Sequence, residues 1–154
     1  MKNRIKLFSL IFMATFALST LTISCSDDDD ETTPPVITCF SAGDHYSESN
    51  IVEKSGEIII DFDVKTGNDG RLDSYFIEIH SHPEDPEEEE FLIIEKWFND
   101  NQLFKGSRNF SVHEHIDIPD EAPLGEYHVE IAVRDEFGNI AQEETHIEIV
   151  ENID

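Results

Sequence analysis

Short apolar runs with a two-residue period restrict the fold of this sequence more than any other feature. In residues 72–81 ("LDSYFIEIHS"), the side chains of Tyr75, Ile77 and Ile79 recur at every second position. Because successive side chains of a strand point to opposite faces, these three are expected to face a core. Six further segments rich in β-branched and aromatic residues are also expected to be strands: residues 36–41, 57–64, 91–98, 110–118, 126–134 and 143–150.

About seven short strands with no helical pattern predict an all-β fold, and two junctions favour an immunoglobulin-like (Ig-like) β-sandwich. Pro123 and Gly125 form a corner just before Tyr127, which resembles the tyrosine corner at the start of strand F in Ig-like folds. The turn after it, in "VRDEFGN" (residues 133–139), resembles an F–G hairpin. We therefore predict one Ig-like domain over residues 36–150.

The beginning of the chain is typical of a targeting segment. Three basic residues in the first six positions precede a mostly apolar run, residues 7–18, which is too short to span a bilayer comfortably. Cys25 follows small or apolar residues, as in the lipobox where bacterial lipoproteins are cleaved and acylated. We expect residues 1–24 to be a lipoprotein signal peptide and Cys25 to carry lipid. The alternative is ordinary secretion in which Cys25 is not acylated.

An acidic segment follows the expected lipid anchor. Residues 27–30 are four consecutive aspartates, which repel one another and favour an extended, solvated chain. Residues 25–35 are therefore expected to be a tether. The aspartates also resemble the signal that exports some lipoproteins to the outer leaflet of the outer membrane, so we expect a lipid-anchored domain exposed on the cell surface. A plain solvated linker is the alternative.

Charge and cysteine content restrict partners and cross-links. The chain has 10 basic and 35 acidic residues; without the three basic residues of the leader, its net charge is −28. Nucleic acid is therefore excluded as a partner. Cys39 is the one cysteine besides Cys25, so no intrachain disulfide is expected. Cys39 shares a predicted strand face with Ile37 and is expected to be a small core residue.

Histidines carry the strongest chemical signal in the sequence. Residues at i and i+2 of a strand lie on one face about 7 Å apart, so the imidazoles of His80 and His82 can converge on one ion. On the Ig-like interpretation His128, at the start of strand F, lies beside them. This predicts a candidate zinc or copper site at one edge of one sheet, although solvated surface histidines are an alternative. His146 is expected at the opposite end of the neighbouring strand.

A second histidine pair is expected on strand E, in the other sheet. His113 and His115 flank Glu114, which falls in the apolar row of that strand. A β-bulge at this position would redirect one or both rings. Both histidines therefore remain candidate metal ligands.

Other chemical signals are weaker. Oxygen ligands for calcium are available at Asp61, Asp63, Asp135 and Asn139. The same residues are common in turns and at strand edges, and no EF-hand loop is present. Phosphate-binding loops, a nucleophile elbow and a zinc-protease motif are also absent, so no enzymatic activity is expected.

The sequence as a whole resembles a family of bacterial surface lipoproteins that carry a single Ig-like domain of unknown function. The features that carry the resemblance are "IEIHSH" (residues 77–82), "HEHIDIPDEAPLGEYHVEIAVRDEFGN" (residues 113–139) and the leader with its cysteine and aspartates. The resemblance implies an Ig-like fold and a surface location, and it implies no reaction.

Three functions from different classes follow from these observations. The first is a surface module that binds an unknown protein or glycan through loops at one end of the sandwich, with apolar contacts from Trp97 and Phe98. The second is a metal-binding lipoprotein that uses the histidines. The third is a structural spacer in a surface complex. Exposure of Trp97 and Phe98 together favours the first function, and convergence of His80, His82 and His128 favours the second.

Overall fold

A computed structural model describes residues 33–44, 49–67, 70–83 and 87–153. Within these ranges there is no helix, and therefore no helix that could cross a membrane. The predicted signal peptide, Cys25 and the aspartates 27–30 lie outside the described residues. The strands are β1 (Val36–Gly43), β2 (Ile51–Glu53), β3 (Glu57–Lys65), β4 (Leu72–Ser81), β5 (Leu92–Phe98), β6 (Asn109–Asp117), β7 (Gly125–Asp135) and β8 (Ile140–Val150).

The strands form two sheets. A three-stranded sheet has the order β1-β3-β6, and a five-stranded sheet has the order β2-β8-β7-β4-β5. Every pairing is antiparallel except that of β2 with β8, which is parallel. All seven predicted strands are confirmed, and β5 is the expected edge strand. The three-residue strand β2 was not predicted, because it is too short to show a period.

The core lies between the inward faces of the two sheets. Tyr75, Ile77 and Ile79 of β4 are each at most 1% exposed, which confirms the alternation expected from the sequence. Facing them from the three-stranded sheet are buried residues such as Phe62 and Val112. The all-β architecture with two sheets and one shared core is that of a β-sandwich.

Two turns around β7 are fixed by specific hydrogen bonds. The hydroxyl of Tyr127 donates a 2.8 Å bond to the carbonyl oxygen of Pro123, at the corner that precedes the strand. At the other end of β7, Asp135 Oδ1 accepts bonds from the backbone amides of Phe137 and Asn139. Gly138 in this turn has a φ of 87°, which favours glycine. Both corners form where the sequence predicted them.

Strand β6 is regular, so the proposed β-bulge at Glu114 is wrong. The pairing of β6 with β3 runs without a register shift from Asn109 to Asp117. The side chain of Glu114 therefore stays on the inward face, where Glu114 Oε1 accepts a hydrogen bond from the hydroxyl of Tyr75. His113 and His115 consequently both lie on the outer face of the three-stranded sheet.

The expected burial of Cys39 is also wrong. Its thiol belongs to an exposed residue, and its backbone φ is 57°. The register of β1 against β3 shifts between Thr38 and Ser41. This bulge ends the alternation that begins at Ile37, so the side chain of Cys39 leaves the core face.

Candidate metal centre

Two imidazole rings meet on the outer face of the three-stranded sheet. His113 and His115 are two residues apart on β6, and their Nε2 atoms are 3.1 Å apart. The ring centroids are separated by 4.8 Å and the ring planes are nearly perpendicular, at 86°. Both side chains are about half exposed, at 48% and 44%. The pair is therefore accessible to a solute from solution.

The other nitrogen of each ring contacts a carboxylate from the neighbouring strand β3. His113 Nδ1 lies 2.6 Å from Asp61 Oδ1, and His115 Nδ1 lies 3.1 Å from Glu57 Oε2. Asp61 is paired directly opposite His113 in the sheet, so the strand register fixes this contact. Each carboxylate orients its ring so that Nε2 points towards the other ring.

These contacts determine which nitrogen carries hydrogen in a neutral ring. An ionised carboxylate only accepts hydrogen bonds, so each Nδ1 is the donor, and each Nε2 then presents a lone pair. Two lone pairs 3.1 Å apart repel one another unless a positive charge lies between them. Either a shared proton or a metal cation satisfies both nitrogens.

The separation of the two Nε2 atoms fits a shared metal ion. With metal–nitrogen bonds of about 2.0–2.1 Å and a tetrahedral angle, two imidazole ligands place their nitrogens about 3.3 Å apart. The observed distance is 3.1 Å. Carboxylates that accept from the second nitrogen of ligating histidines are a recurrent feature of zinc and copper sites.

The described residues supply a partial site. No group of three or more His, Cys, Asp or Glu side chains within them is arranged to hold a metal ion. A cation bound by the two Nε2 atoms would therefore keep coordination positions that this part of the protein does not fill. Such positions are open to water or to another ligand.

A pocket of about 490 Å³ is lined by one member of this pair, His113, and by its carboxylate partner Asp61. Ile59, also on β3 and only 5% exposed, provides an apolar surface there. The remaining lining residues come from β1 and the segment after it: Ser41, Ala42, Gly43, Asp44 and Ser49.

The histidines of the five-stranded sheet form a separate row. His80 on β4 is opposite His128 on β7, which is opposite His146 on β8. The ring centroids are 5.3 Å and 5.0 Å apart along this row. The first pair is edge-to-face and the second is stacked at 29°. The predicted neighbourhood of His80 and His128 is thus confirmed.

The predicted position of His146 at the far end of its strand is wrong, because the β7–β8 register places it directly opposite His128. His82 lies just beyond β4, where its backbone amide bonds to the carbonyl of Glu126. The side chain of His82 belongs to a different surface, a pocket of about 740 Å³ that Glu88, Glu89 and Glu126 also line.

Carboxylates accompany the histidine row. Glu144 Oε2 is 3.2 Å from His128 Nε2, and Glu126 Oε1 is 3.8 Å from His146 Nε2. Glu78 Oε1 is 2.9 Å from His80 Nδ1, but this contact does not have the geometry of a hydrogen bond. The buried Nδ1 of His80 therefore has no hydrogen-bond partner in the described part of the chain. The row contains three imidazoles, but no three His, Cys, Asp or Glu side chains among the described residues are arranged to hold one metal ion.

The calcium candidates lie at two unrelated places. Asp61 and Asp63 are on the outer face of β3, where Asp61 contacts His113 and Asp63 Oδ1 accepts a bond from the hydroxyl of Ser111. Asp135 and Asn139 are in the β7–β8 turn, where Asp135 Oδ2 accepts from Asn139 Nδ2. Asp135 is only 2% exposed, and its bonds hold the turn together.

Trp97 and Phe98 do not form a joint exposed surface. As consecutive residues of β5 they point to opposite faces of the sheet. Phe98 stacks on the ring of Tyr75 with centroids 4.8 Å apart. Trp97 packs against Phe76 and lies under the guanidinium of Arg134, 4.9 Å from the ring centroid. Both side chains are half-buried.

Sequence reasoning missed the carboxylates that orient the histidine pair. Glu57 and Asp61 share the outward face of β3, and the two-residue period of that strand indicates that both side chains point to the same face. The missing information was the register between β3 and β6, which are more than 40 residues apart in the chain.

Comparison with known proteins gives a family and a fold. A family model for a domain of unknown function, DUF4625, matches residues 23–150. No curated protein matches the sequence. A DUF4466 family protein from Parabacteroides merdae has a similar structure, with a TM-score of 0.52 and 12% identity over 78% of this chain and 46% of that one. The sporulation control protein Spo0M from Bacillus subtilis gives a TM-score of 0.44 and 12% identity over 76% of this chain and 49% of that one.

The chain thus spans about half the length of these two solved structures. At 12% identity the first of them is informative about the fold alone. The family match is more extensive, because it includes every strand of both sheets. The protein therefore belongs to the DUF4625 family of domains of unknown function.

Proposed function

We propose that this protein is a non-enzymatic, lipid-anchored surface protein whose Ig-like domain binds a divalent transition metal, zinc or copper, between His113 and His115. The observation that carries the proposal is the approach of two Nε2 atoms to 3.1 Å while both Nδ1 atoms contact carboxylates. A metal ion satisfies both lone pairs and uses the orientation that the carboxylates impose.

Two features support the Ig-like type. The sheet orders β1-β3-β6 and β8-β7-β4-β5 correspond to A-B-E and G-F-C-C′ of an Ig-like sandwich without strand D. The bond from the Tyr127 hydroxyl to the carbonyl of Pro123 has the geometry of a tyrosine corner.

The lipid anchor rests on the sequence around Cys25 and is tested separately. Replacement of Cys25 by Ser is expected to abolish fatty-acid labelling and to release the protein from membranes. Replacing residues 27–30 with alanine is expected to reduce its accessibility to protease on intact cells. A Cys25→Ser protein that stays membrane-bound would refute the anchor, and unchanged accessibility would refute the export role of the aspartates.

Isothermal titration of the purified full-length protein in detergent, without a polyhistidine tag, tests the metal site. Zinc or copper(II) is expected to bind with a stoichiometry near one and to raise the melting temperature, because ligands of the native state stabilise it. His113→Ala and His115→Ala should each weaken binding by about tenfold or more, since each removes a ligand. Affinity should fall on acidification, because protons compete with the metal.

The control is His146→Ala, because the side chain of His146 is 48% exposed, as is that of His113, but lies in the other sheet. This variant should bind metal as the parent does. No binding heat with either metal, or an equal loss of affinity in the control, would exclude the site.

Binding of a protein or glycan through Trp97 and Phe98 has less support than metal binding. The two side chains point to opposite faces of β5, and Phe98 packs on a core tyrosine. If neither zinc nor copper binds, we propose that the protein is a structural spacer.

A further inference from the structure

One end of the sandwich contains three loops and the point where the described chain enters the domain. The backbone of Thr33 lies so close to Gly67 that an added Cβ atom would be 2.2 Å from the Thr33 carbonyl oxygen. The amide of Gly70 donates a bond to the carbonyl of Gly67, and a Cβ atom on Gly70 would touch the ring of Phe137 in the β7–β8 turn. The amide of Leu72 donates a bond to the β5–β6 loop. We call this surface the entry end; it comprises residues 33–36, 65–67, 70–73, 99–108 and 134–140.

The most exposed large apolar side chains of the described residues all lie at the entry end. Leu103 in the β5–β6 loop is 78% exposed, Phe137 is 58% exposed, and Val36, opposite Lys65 in the sheet, is 53% exposed. Exposed apolar groups of this size gain free energy when another molecule or a membrane removes them from water. The entry end therefore offers apolar contacts to something outside the domain.

Basic residues are also concentrated at the entry end. The chain has 10 basic residues, of which three are in the leader. Five of the other seven lie at this end: Lys65, Arg71, Lys105, Arg108 and Arg134. The described acidic residues there are Asp73, Asp100, Asp135 and Glu136, and Asp69 of the same loop lies outside the described residues. The entry end is thus close to neutral and has exposed cations, on a chain whose net charge after the leader is −28.

The opposite end of the sandwich is strongly acidic. Its described acidic residues include Glu87, Glu88, Glu89, Glu90, Asp120, Glu121, Glu126, Glu148 and Glu151. Lys54 is the one basic residue among the described residues at that end. A bilayer with anionic headgroups repels the acidic end more strongly than the entry end. This asymmetry of charge favours one orientation of the domain at such a surface.

Chain length limits the distance between the entry end and a lipid on Cys25. Cys25 precedes Thr33 by eight positions. An extended chain spans about 3.3–3.6 Å per residue, so eight residues reach at most about 29 Å. A domain held within this distance meets the bilayer at a high effective concentration, and weak contacts then suffice to keep it there.

We infer that the entry end binds the surface of the bilayer that holds the lipid anchor. Leu103 and Phe137 lie at the boundary between headgroups and acyl chains, and Lys65 and Arg71 lie at the phosphates of anionic lipids. The inference rests on the proposed lipid anchor and is independent of the metal site. It assigns a membrane-binding surface to the domain itself, and it orients the acidic end away from the membrane.

Quenching by lipids tests this inference on the full-length protein, purified from membranes and reconstituted into vesicles of phosphatidylcholine and phosphatidylglycerol. Cys39→Ser leaves no reactive thiol when Cys25 is acylated through its sulfur. In this background the variants Leu103→Cys, Phe137→Cys and Leu124→Cys each carry one fluorescent label. Leu124 is the matched control, because it is 51% exposed and precedes β7, whereas Phe137 follows that strand. Phospholipids that carry a nitroxide quench a label that lies at the bilayer surface.

Nitroxide lipids are expected to quench the labels of Leu103→Cys and Phe137→Cys at least about twofold more than the label of Leu124→Cys, because only the first two positions enter the bilayer surface. Adding Arg71→Glu to the labelled Phe137→Cys protein should reduce the quenching, since it places an acidic group at the lipid phosphates. Lys54→Glu makes the same change of charge at the opposite end and should leave the quenching unchanged. Melting curves establish that every variant is folded.

The failures of the two proposals are distinguishable. A protein that carries no fatty acid and does not float with the vesicles refutes the lipid anchor and this inference together. If the protein is acylated and floats, but the three labels are quenched equally, the inference is wrong and the lipid anchor stands. Labels at the entry end that leave water without being quenched by nitroxide lipids would show that a second copy of the chain covers this surface, which also refutes the inference.

Discussion

The hydroxyl of Tyr75 on β4 donates a 2.5 Å hydrogen bond to Glu114 Oε1 on β6, and this bond connects the two sheets through the interior of the sandwich. Tyr75 is 1% exposed and is surrounded by the rings of Phe62, Phe98 and Phe104. Burial, followed by the nearby carboxylate of Glu114, raises the pKa of the Tyr75 phenol far above its ordinary value. A carboxylate in an apolar row is tolerated because this phenol satisfies it.

Tyr75→Phe is therefore expected to lower the free energy of unfolding by about 1.5–3 kcal/mol, the range for a hydrogen bond to a charged group. Chemical denaturation measures this change. The comparison variant is Tyr127→Phe, whose hydroxyl bonds to a neutral carbonyl, with an expected loss of about 1 kcal/mol. A Tyr75→Phe protein as stable as the parent would mean that the bond contributes nothing.

The protein is expected to lose stability at alkaline pH through its buried phenols. Burial raises the pKa of Tyr127 to about 12, and the pKa of Tyr75 is raised further by burial and by Glu114. Unfolded tyrosine ionises near pH 10, so the contribution of each phenol is complete below that pH and is lost as the pH rises towards the folded value. Melting temperatures between pH 8 and 11.5 measure the loss, and a curve that is equally steep after Tyr75→Phe would contradict it.

The carboxylate of Asp73 is expected to contribute stability that is lost at acidic pH. The hydrogen bond from Lys105 is the largest cause that lowers the pKa of Asp73; partial burial opposes it, and Arg134 adds to it. Stability from this lowered pKa is present above the unfolded value of 3.8 and is lost as the pH falls through the folded one. Asp73→Asn should cost about 0.5–1 kcal/mol at pH 7. Urea unfolding should show that this difference is constant near neutral pH and shrinks as the pH falls below about 4, and a difference that stays constant there would exclude the ionic explanation.

Asp61 is expected to tune the metal site without binding the metal. Asp61→Asn keeps the size of the side chain but removes the charge that orients His113, so zinc affinity should fall by about tenfold, as for other carboxylates that support ligating histidines. Asp63→Asn is the matched control, because Asp63 lies on the same face of β3 and contacts Ser111. Titration calorimetry measures the zinc affinity of both variants. If the two variants bind zinc equally well, Asp61 has no positioning role.

The sequence predicted the strands and both corners of β7 because these features are local. The alternation within β4 spans about ten positions, and so do the turn residues around Tyr127, and each pattern has its own physical cause. The bulge at Cys39 and the strand β2 were not predictable in this way. Both depend on backbone pairing with distant strands.

The candidate site was likewise predictable only in its local features. The i, i+2 spacing of His113 and His115 indicated that the rings share one face, and the structure confirms this. Their carboxylate partners come from β3, and only the register between β3 and β6 brings Asp61 opposite His113. Register is set by the packing of the whole domain, so a single strand carries little information about it.

The parallel pairing of β2 with β8 affects the order in which the chain can fold. Ile51 of β2 lies beside Glu148 of β8, and Glu53 beside Val150, so two segments almost a hundred positions apart must meet. Contacts between such distant segments slow folding, because a long loop must close before they form. While the ribosome still holds β8, the nascent chain has an unpaired edge on β7 and no partner for β2. The five-stranded sheet is therefore completed only after synthesis of the domain has reached its last strand.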